Sequence, residues 1–361
     1  MFDRLISDIH DALVEAFALV IFVMAFFSIR RILAKSRRGS FDRGSARIED
    51  SSLTRNGISG TNWVLPGLNA IMLAVLIIVT VARIRLLDVP LERDEGEFSY
   101  MGQLLLKGIP PYSNAYTMKL PGVSAAYAVF MTLFGQTPFG VHLGLLVVNL
   151  ISAGMVWLLA RRLLGTQIAA AATAIYALLS VSQGVLGIFA HATHFVILFA
   201  LAGSLLLRRH LDDRRMWALA FSGVCFGFAV IMKQHAVVLW LFAFLYLLWV
   251  AFRRDDSVRL MVGESSVFLF GAAAPIAAIF AWMIKVGIFE RFWFWTVSYP
   301  THYVSDVPVI TGLFILIFQA HNVISYQPLI WLAAFFGYVL LRQRRERVEL
   351  IFIYGFFVSA L

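Results

Sequence analysis

Nine apolar runs punctuate the chain: Ala12 to Ile29, Trp63 to Leu87, Phe139 to Ala160, Ile168 to Leu186, Phe189 to Leu207, Met216 to Met232, Ala236 to Phe252, Val262 to Ile284 and Pro328 to Leu341. Most approach or reach the roughly 17 to 25 residues that cross a bilayer as a helix. A bilayer offers no water to unpaired amides, so such runs must close their backbone hydrogen bonds internally. Short alternating strands of the outer-membrane barrel type are not seen. The expected fold is therefore an all-α polytopic membrane bundle of about nine or ten spans. With 60% hydrophobic and 14% charged residues and a mean hydropathy of +0.82, the chain has too little polar surface for an ordinary soluble domain.

Three runs need separate treatment. The first follows Asp3, Asp8 and Asp11 and precedes no small-residue cleavage site, so 1–29 is expected to be a retained anchor and not a signal peptide. Gly122 to Phe134 is too short to cross and is expected to be re-entrant or interfacial, and Val307 to Gln319 is read the same way. Glu349 to Leu361 is also too short, which leads to the expectation of a bundle truncated at its C-terminus.

Charge gives the orientation. Loops 30–62, 161–167, 208–215, 253–261 and 342–348 hold 21 of the 30 Lys and Arg residues, and all fall on one side if each run crosses once. That side is expected to be cytoplasmic. The net charge of +9 is thus mostly topology and does not imply nucleic acid. The Ser, Gly and Arg-rich stretch 30–62 reads as a disordered basic tether. The single cysteine, Cys225, excludes a disulfide framework and a Cys-based zinc site.

The remaining ionisable groups converge on the other, outer side. Arg93 to Tyr100, RDEGEFSY, gathers Asp94, Glu95 and Glu97 after the second run. Asp94 and Glu97, three apart, share a helical face, whereas Glu95 points elsewhere. A charge run between spans is ordinarily just a solvated loop. The sequel, LLLKGIPPYSNAYTMKLPG, instead describes an ordered loop lying on the membrane, with paired prolines and Lys119 before Pro121 and Gly122. Lys233 ends one run and another starts within three residues, so its ammonium must sit at the hydrocarbon edge, either snorkelling or holding an anion. Lys119 and Arg291 carry the same two readings. Together the three cations can hold a phosphate-bearing lipid headgroup.

Other features carry less. His191 and His194 stand at i and i+3, a spacing open to a shared metal, but HEXXH is absent and interfacial histidines usually just hydrogen-bond. FERFWFWTVSYPTHY, with Tyr299, His302 and Tyr303, reads as an aromatic belt or as a sugar-stacking surface. GVCFG, Gly223 to Gly227, has helix-packing spacing. No GXXXXGK[ST] occurs, which excludes a P-loop motor in this chain.

RDEGEFSYMGQLLLKGIPPY, KLPGVSAAYAVFMTLFG, ARRLLG, GFAVIMKQHAVVL and FERFWFWTVSYPTHY, in that order, resemble motifs of the GT-C glycosyltransferases of the dolichyl-phosphate-mannose protein mannosyltransferase type, including bacterial enzymes that transfer aminoarabinose to lipid A. The resemblance runs from about residue 63 to about 345. It implies a transmembrane glycosyltransferase domain over 63–361 and sugar transfer, with inversion, from a polyprenyl-phosphate donor to a lipid, protein or polysaccharide hydroxyl at the outer (periplasmic) face of a bacterial inner membrane. It also implies that the acids Asp94 and Glu95, with Glu97 beside them, supply the catalytic carboxylate, and that Lys119 and Lys233, with Arg291, serve the donor phosphate. Tyr112, His191, His194, Gln234, Tyr299, His302 and Tyr303 are expected to line the substrate cavity. Two positions depart from the pattern: Leu120 stands where Pro is frequent, and His194 where an acid is frequent. The acids are compatible with a divalent cation or with working alone, and no nucleotide cofactor is implied. Two other readings remain: a noncatalytic membrane scaffold and a lipid or sugar transporter, although the latter should show mid-membrane charges and an internal repeat.

Overall fold

The computed structural model describes residues 64–305, 307–342 and 347–360. The expected anchor 1–29 and tether 30–62 lie outside the described residues. Nine helices form the body: α1 (Val64–Arg85), α2 (Arg93–Leu106), α3 (Gly122–Phe134), α4 (Pro138–Leu164), α5 (Thr166–Leu179), α6 (Ala192–Asp213), α7 (Met216–Met232), α8 (Val237–Arg253) and α9 (Val258–Lys285). After them, α10 (Phe289–Trp293) passes through a π turn at Phe294–Ser298 into α11 (Tyr299–Ser305), followed by α12 (Val309–Tyr326), α13 (Pro328–Arg342) and α14 (Arg347–Ala360). No strand occurs among the described residues, as expected of an all-α membrane protein.

By length and composition, five of the described helical stretches can cross a membrane: Gly67–Arg85, Pro138–Leu164, Ala192–Asp213, Gln234–Arg253 and Val258–Lys285. Gly122–Phe134, Thr166–Leu179, Met216–Met232 and Glu349–Ala360 are shorter apolar helices, and Val309–Ser325 meets Pro328–Val339 at a 96° bend. The run Ile168–Leu186 is α-helical only as far as Leu179, because the chain then turns through Ser180 to Gly187, with a single 3-10 turn at Gln183–Val185 and Leu186 left-handed. The Arg83 guanidinium fastens that turn by donating to the carbonyls of Ser180 and Gly187.

Sharp local signals set the helix ends. Thr137 caps α4 by accepting from the Gly140 amide at 3.1 Å, with Pro138 in the first turn, and Gly165 at φ 89° ends it. Ser257 caps α9 in the same way, at 3.4 Å from the Leu260 amide. The core is a continuous aromatic and aliphatic cluster in which Phe98, Tyr127, Leu145, Phe195, Leu207, Phe226 and Phe268 are all buried.

The tightest seam joins α7 to α9. A side-chain carbon at Gly223 would strike the Phe268 carbonyl, at Gly227 the Ala272 carbonyl, and at Gly271 the Ala220 carbonyl. Small residues at these positions let the two backbones touch, which is how membrane helices gain packing where the hydrophobic effect cannot drive them together. At the basic end of this seam Arg214 grips Glu264 and Asp256, at 2.8 and 2.7 Å. The opposite end of α7, at Met232, faces the polar loops expected to converge. Gly227→Val should therefore cost about 1–3 kcal/mol by overpacking and lower the thermal unfolding midpoint in detergent. Gly263→Ala, where an added carbon meets open space, should leave it unchanged.

Candidate functional site

Helix α2 begins on a carboxylate cap. Glu92 accepts from the Asp94 amide at 2.7 Å, and Glu95 reaches back to the Glu92 amide at 3.0 Å. This reciprocal box fixes the first turn and sends its acids in different directions. Glu95 turns inward and is fully buried. Its Oε1 accepts from the Ala190 amide at 2.5 Å, and both its oxygens face His142 Nε2 at 3.2 and 3.3 Å.

Asp94 and Glu97 turn to the other side, where Lys119 meets them. Its Nζ stands 3.3 Å from Asp94 Oδ2 and 3.7 Å from Glu97 Oε2 and lies 4.3 Å above the centre of the Phe98 ring. Thr117 donates to Glu97 Oε1 at 2.5 Å. Partial burial alone would raise the Asp94 carboxyl, but Lys119, with His191 and Arg93, outweighs it and holds the group below its ordinary value.

The loop that delivers Lys119 is anchored along its length. Tyr112, buried and held at φ 65°, donates its hydroxyl to the Lys119 carbonyl at 2.8 Å and packs edge-on against Phe292. Gln234 donates to the Met118 carbonyl at 2.8 Å, Arg291 to the Ser113 carbonyl at 3.4 Å, and Tyr116 stacks on Trp295 at 4.2 Å. Gly122 packs so closely on the Ile231 carbonyl that a side-chain carbon would not fit there. That contact seats the loop against the end of α7, two residues from Lys233.

Around these groups is a cavity of about 720 Å³. Asp94, Lys119, His191, Lys233, Gln234 and His235 supply its polar lining, and Val185, Leu186, Met118, Val297 and Pro300 supply apolar wall. Lys233 leaves α7 with extended backbone, at φ −154° and ψ 123°, and projects between α7 and α8. Among the described residues no hydrogen bond or ion pair engages its ammonium. His191 precedes α6 with Nδ1 3.8 Å from Asp94 Oδ2 and Nε2 3.9 Å from Glu92 Oε2. The far wall comes from the π turn, where Thr296 bonds to the Phe292 carbonyl at 2.7 Å. Such wide turns rotate side chains out of helical register and recur at binding sites.

Not all of the expected residues are gathered here. Asp94, Lys119, His191, Lys233 and Gln234 line the cavity. Glu97 stands behind Lys119, and Glu95 is a buried brace that does not open onto the space. Tyr112 is a loop anchor whose burial pushes its hydroxyl well above the ordinary range. His194 is buried and separated from the lining, so the two histidines do not present a joint face to the cavity. Arg291 donates one hydrogen bond to the loop backbone, and Arg291, Tyr299 and His302 lie outside the lining. The Tyr303 side chain lies outside the described residues. Among the described residues no group of three or more His, Cys, Asp or Glu side chains is gathered as a metal site. Sequence reading missed Glu92, Thr117 and His142. The E-x-x-E spacing at Glu92 and Glu95, and an ionisable His142 inside an apolar run, were the available signals.

Residues 118–284 match the family model described as dolichyl-phosphate-mannose-protein mannosyltransferase. The match supports a membrane glycosyltransferase of the GT-C kind. It spans the stretch from Met118 to the end of α9, including Lys119, His191, Lys233 and Gln234, while the acids of α2 precede it. No curated protein and no solved structure matches the chain.

The lowered Asp94 group has a measurable consequence. Its pairing contributes stability that is present above the unfolded-state value and lost as pH falls through the depressed folded-state value. Lys119→Met should cost about 0.2–1 kcal/mol at neutral pH, as partly exposed pairs do. In thermal unfolding at graded pH, that difference should shrink toward zero only on the acid side of the ordinary aspartate value.

Proposed function

We propose that the chain transfers a sugar from a polyprenyl-phosphate donor to an acceptor hydroxyl at the outer face of a bacterial inner membrane. The observation that carries this reading is one cavity lined by Asp94, Lys119 and Lys233, whose ammonium no described residue engages, together with apolar residues. An acceptor hydroxyl needs a carboxylate within about 3 Å to take its proton as attack develops. Asp94, kept ionised by Lys119, fits that role. The departing lipid phosphate gains negative charge and requires fixed cations; Lys233 supplies one that no acid among the described residues neutralises, and Lys119 a second.

These roles divide the cations. Lys119 is held by two carboxylates and chiefly orients and ionises Asp94, whereas Lys233 is the primary phosphate contact. Direct displacement at the anomeric carbon, with base and phosphate on opposite sides of the sugar, inverts its configuration. The division of basic loops in the sequence supports the outer location. The acceptor class, whether lipid, protein or polysaccharide hydroxyl, follows from whatever surface the cavity mouth presents its sugar to.

Membranes containing the chain should transfer label from a panel of radiolabelled polyprenyl-phosphate hexoses and pentoses. Asp94→Asn should lower that transfer at least 100-fold, within the general-base range, with no more loss of stability than the roughly 0.2–1 kcal/mol expected of the broken Lys119 pair. Full activity in the variant would remove Asp94 from the reaction.

A further inference from the structure

His142 is a buried imidazole in α4 whose two ring nitrogens both face acceptors. Nδ1 lies 3.0 Å from the Leu87 carbonyl, and Nε2 lies 3.2 and 3.3 Å from the two Glu95 oxygens. A carbonyl can only accept, so Nδ1 carries a proton. Each Glu95 oxygen also takes a backbone N–H, from Ala190 and from Glu92, in the first turn of α2. Two oxygens that each accept an amide N–H and both face Nε2 have the hydrogen-bond pattern of a carboxylate, which accepts on both atoms. With the carboxylate ionised, Nε2 must carry a proton too.

We propose that His142 is an imidazolium locked to ionised Glu95, and that this buried ion pair is the positioning element that sets Asp94 and His191 in the cavity. The pair ties four segments together: the α1 end through Leu87, the α2 cap through Glu92, α4 itself, and the turn before α6 through Ala190. The residues it steers are immediate neighbours of the clamp, since Asp94 precedes Glu95 and His191 follows Ala190. Other ionisable groups facing the pair are Arg83 on α1, Tyr127 on α3 and His194 at the start of α6, with Glu92, Asp94 and His191 next to its backbone partners. Burying one charge without the other is costly, while a matched and fully hydrogen-bonded pair holds one geometry. Glu95 thus does not touch the reacting atoms but acts through Asp94. The catalytic part of this inference rests on the role proposed for Asp94; the charge state does not.

The test uses the full chain, ¹⁵N-histidine labelled, in lipid nanodiscs, with His142→Gln to assign its signals. At neutral pH both His142 ring nitrogens should show protonated shifts, and Glu95→Gln should return the ring to a neutral tautomer. A neutral His142 in the unaltered protein would overturn the proposal, whether or not sugar transfer is ever detected. In the transfer assay Glu95→Gln should lower kcat about tenfold through misplacement, clearly less than the loss in Asp94→Asn, with KM for donor little changed, and the residue of activity should still vanish on adding Asp94→Asn. The double variant His142→Gln with Glu95→Gln should unfold at a higher temperature than His142→Gln alone. Loss in Glu95→Gln as complete as in Asp94→Asn, in a protein that melts normally, would make Glu95 a reacting group and overturn its positioning role.

Discussion

The arrangement depends on one buried carboxylate. Glu95 is fully enclosed, and it is the meeting point of the α2 cap, the α4 histidine and the turn that precedes α6. A carboxyl group in such a place is tolerated only when its oxygens are hydrogen-bonded, and those bonds hold the three segments in one relation. Asp94, the next residue back, faces the cavity. The geometry proposed for reaction is then a by-product of satisfying a structural one.

A second constraint acts from the opposite wall. The glycine seam between α7 and α9 lets those backbones touch, and Gly122 repeats the device where α3 begins. Because Gly122 rests on the Ile231 carbonyl, the loop carrying Lys119 and the end of α7 carrying Lys233 are set by a backbone contact and not by flexible side chains. The Tyr112, Gln234 and Arg291 contacts to loop carbonyls do the rest. Two cations on long, mobile stems thereby emerge from fixed origins, which is what an electrostatic site needs in order to stabilise charge without reorganising.

Helix content and the polar end of the bundle were legible because both are written in one dimension: apolar runs of spanning length, and charges confined to their ends. The separation of Asp94 and Glu97 from Glu95 followed from helical spacing alone. The premature end of α5 was not legible, since the Ser180 to Gly187 turn is stabilised by Arg83, about a hundred positions earlier in the chain. For the same reason nothing local reveals that Arg291 reaches the Ser113 carbonyl. His142 was hidden inside an apolar run, and its meaning appears only when Glu95 is brought to it.

The central claim is that the cavity takes a lipid phosphate on Lys233. The most direct measurement is native mass spectrometry of the purified chain titrated with polyprenyl monophosphate, for the unaltered protein and Lys233→Gln, with neutral polyprenol as reference. The account predicts preferential binding of the phosphate that weakens about tenfold or more in Lys233→Gln, the loss expected of one charge-assisted contact. Equal binding of phosphate and alcohol, or phosphate binding indifferent to Lys233→Gln, would contradict it.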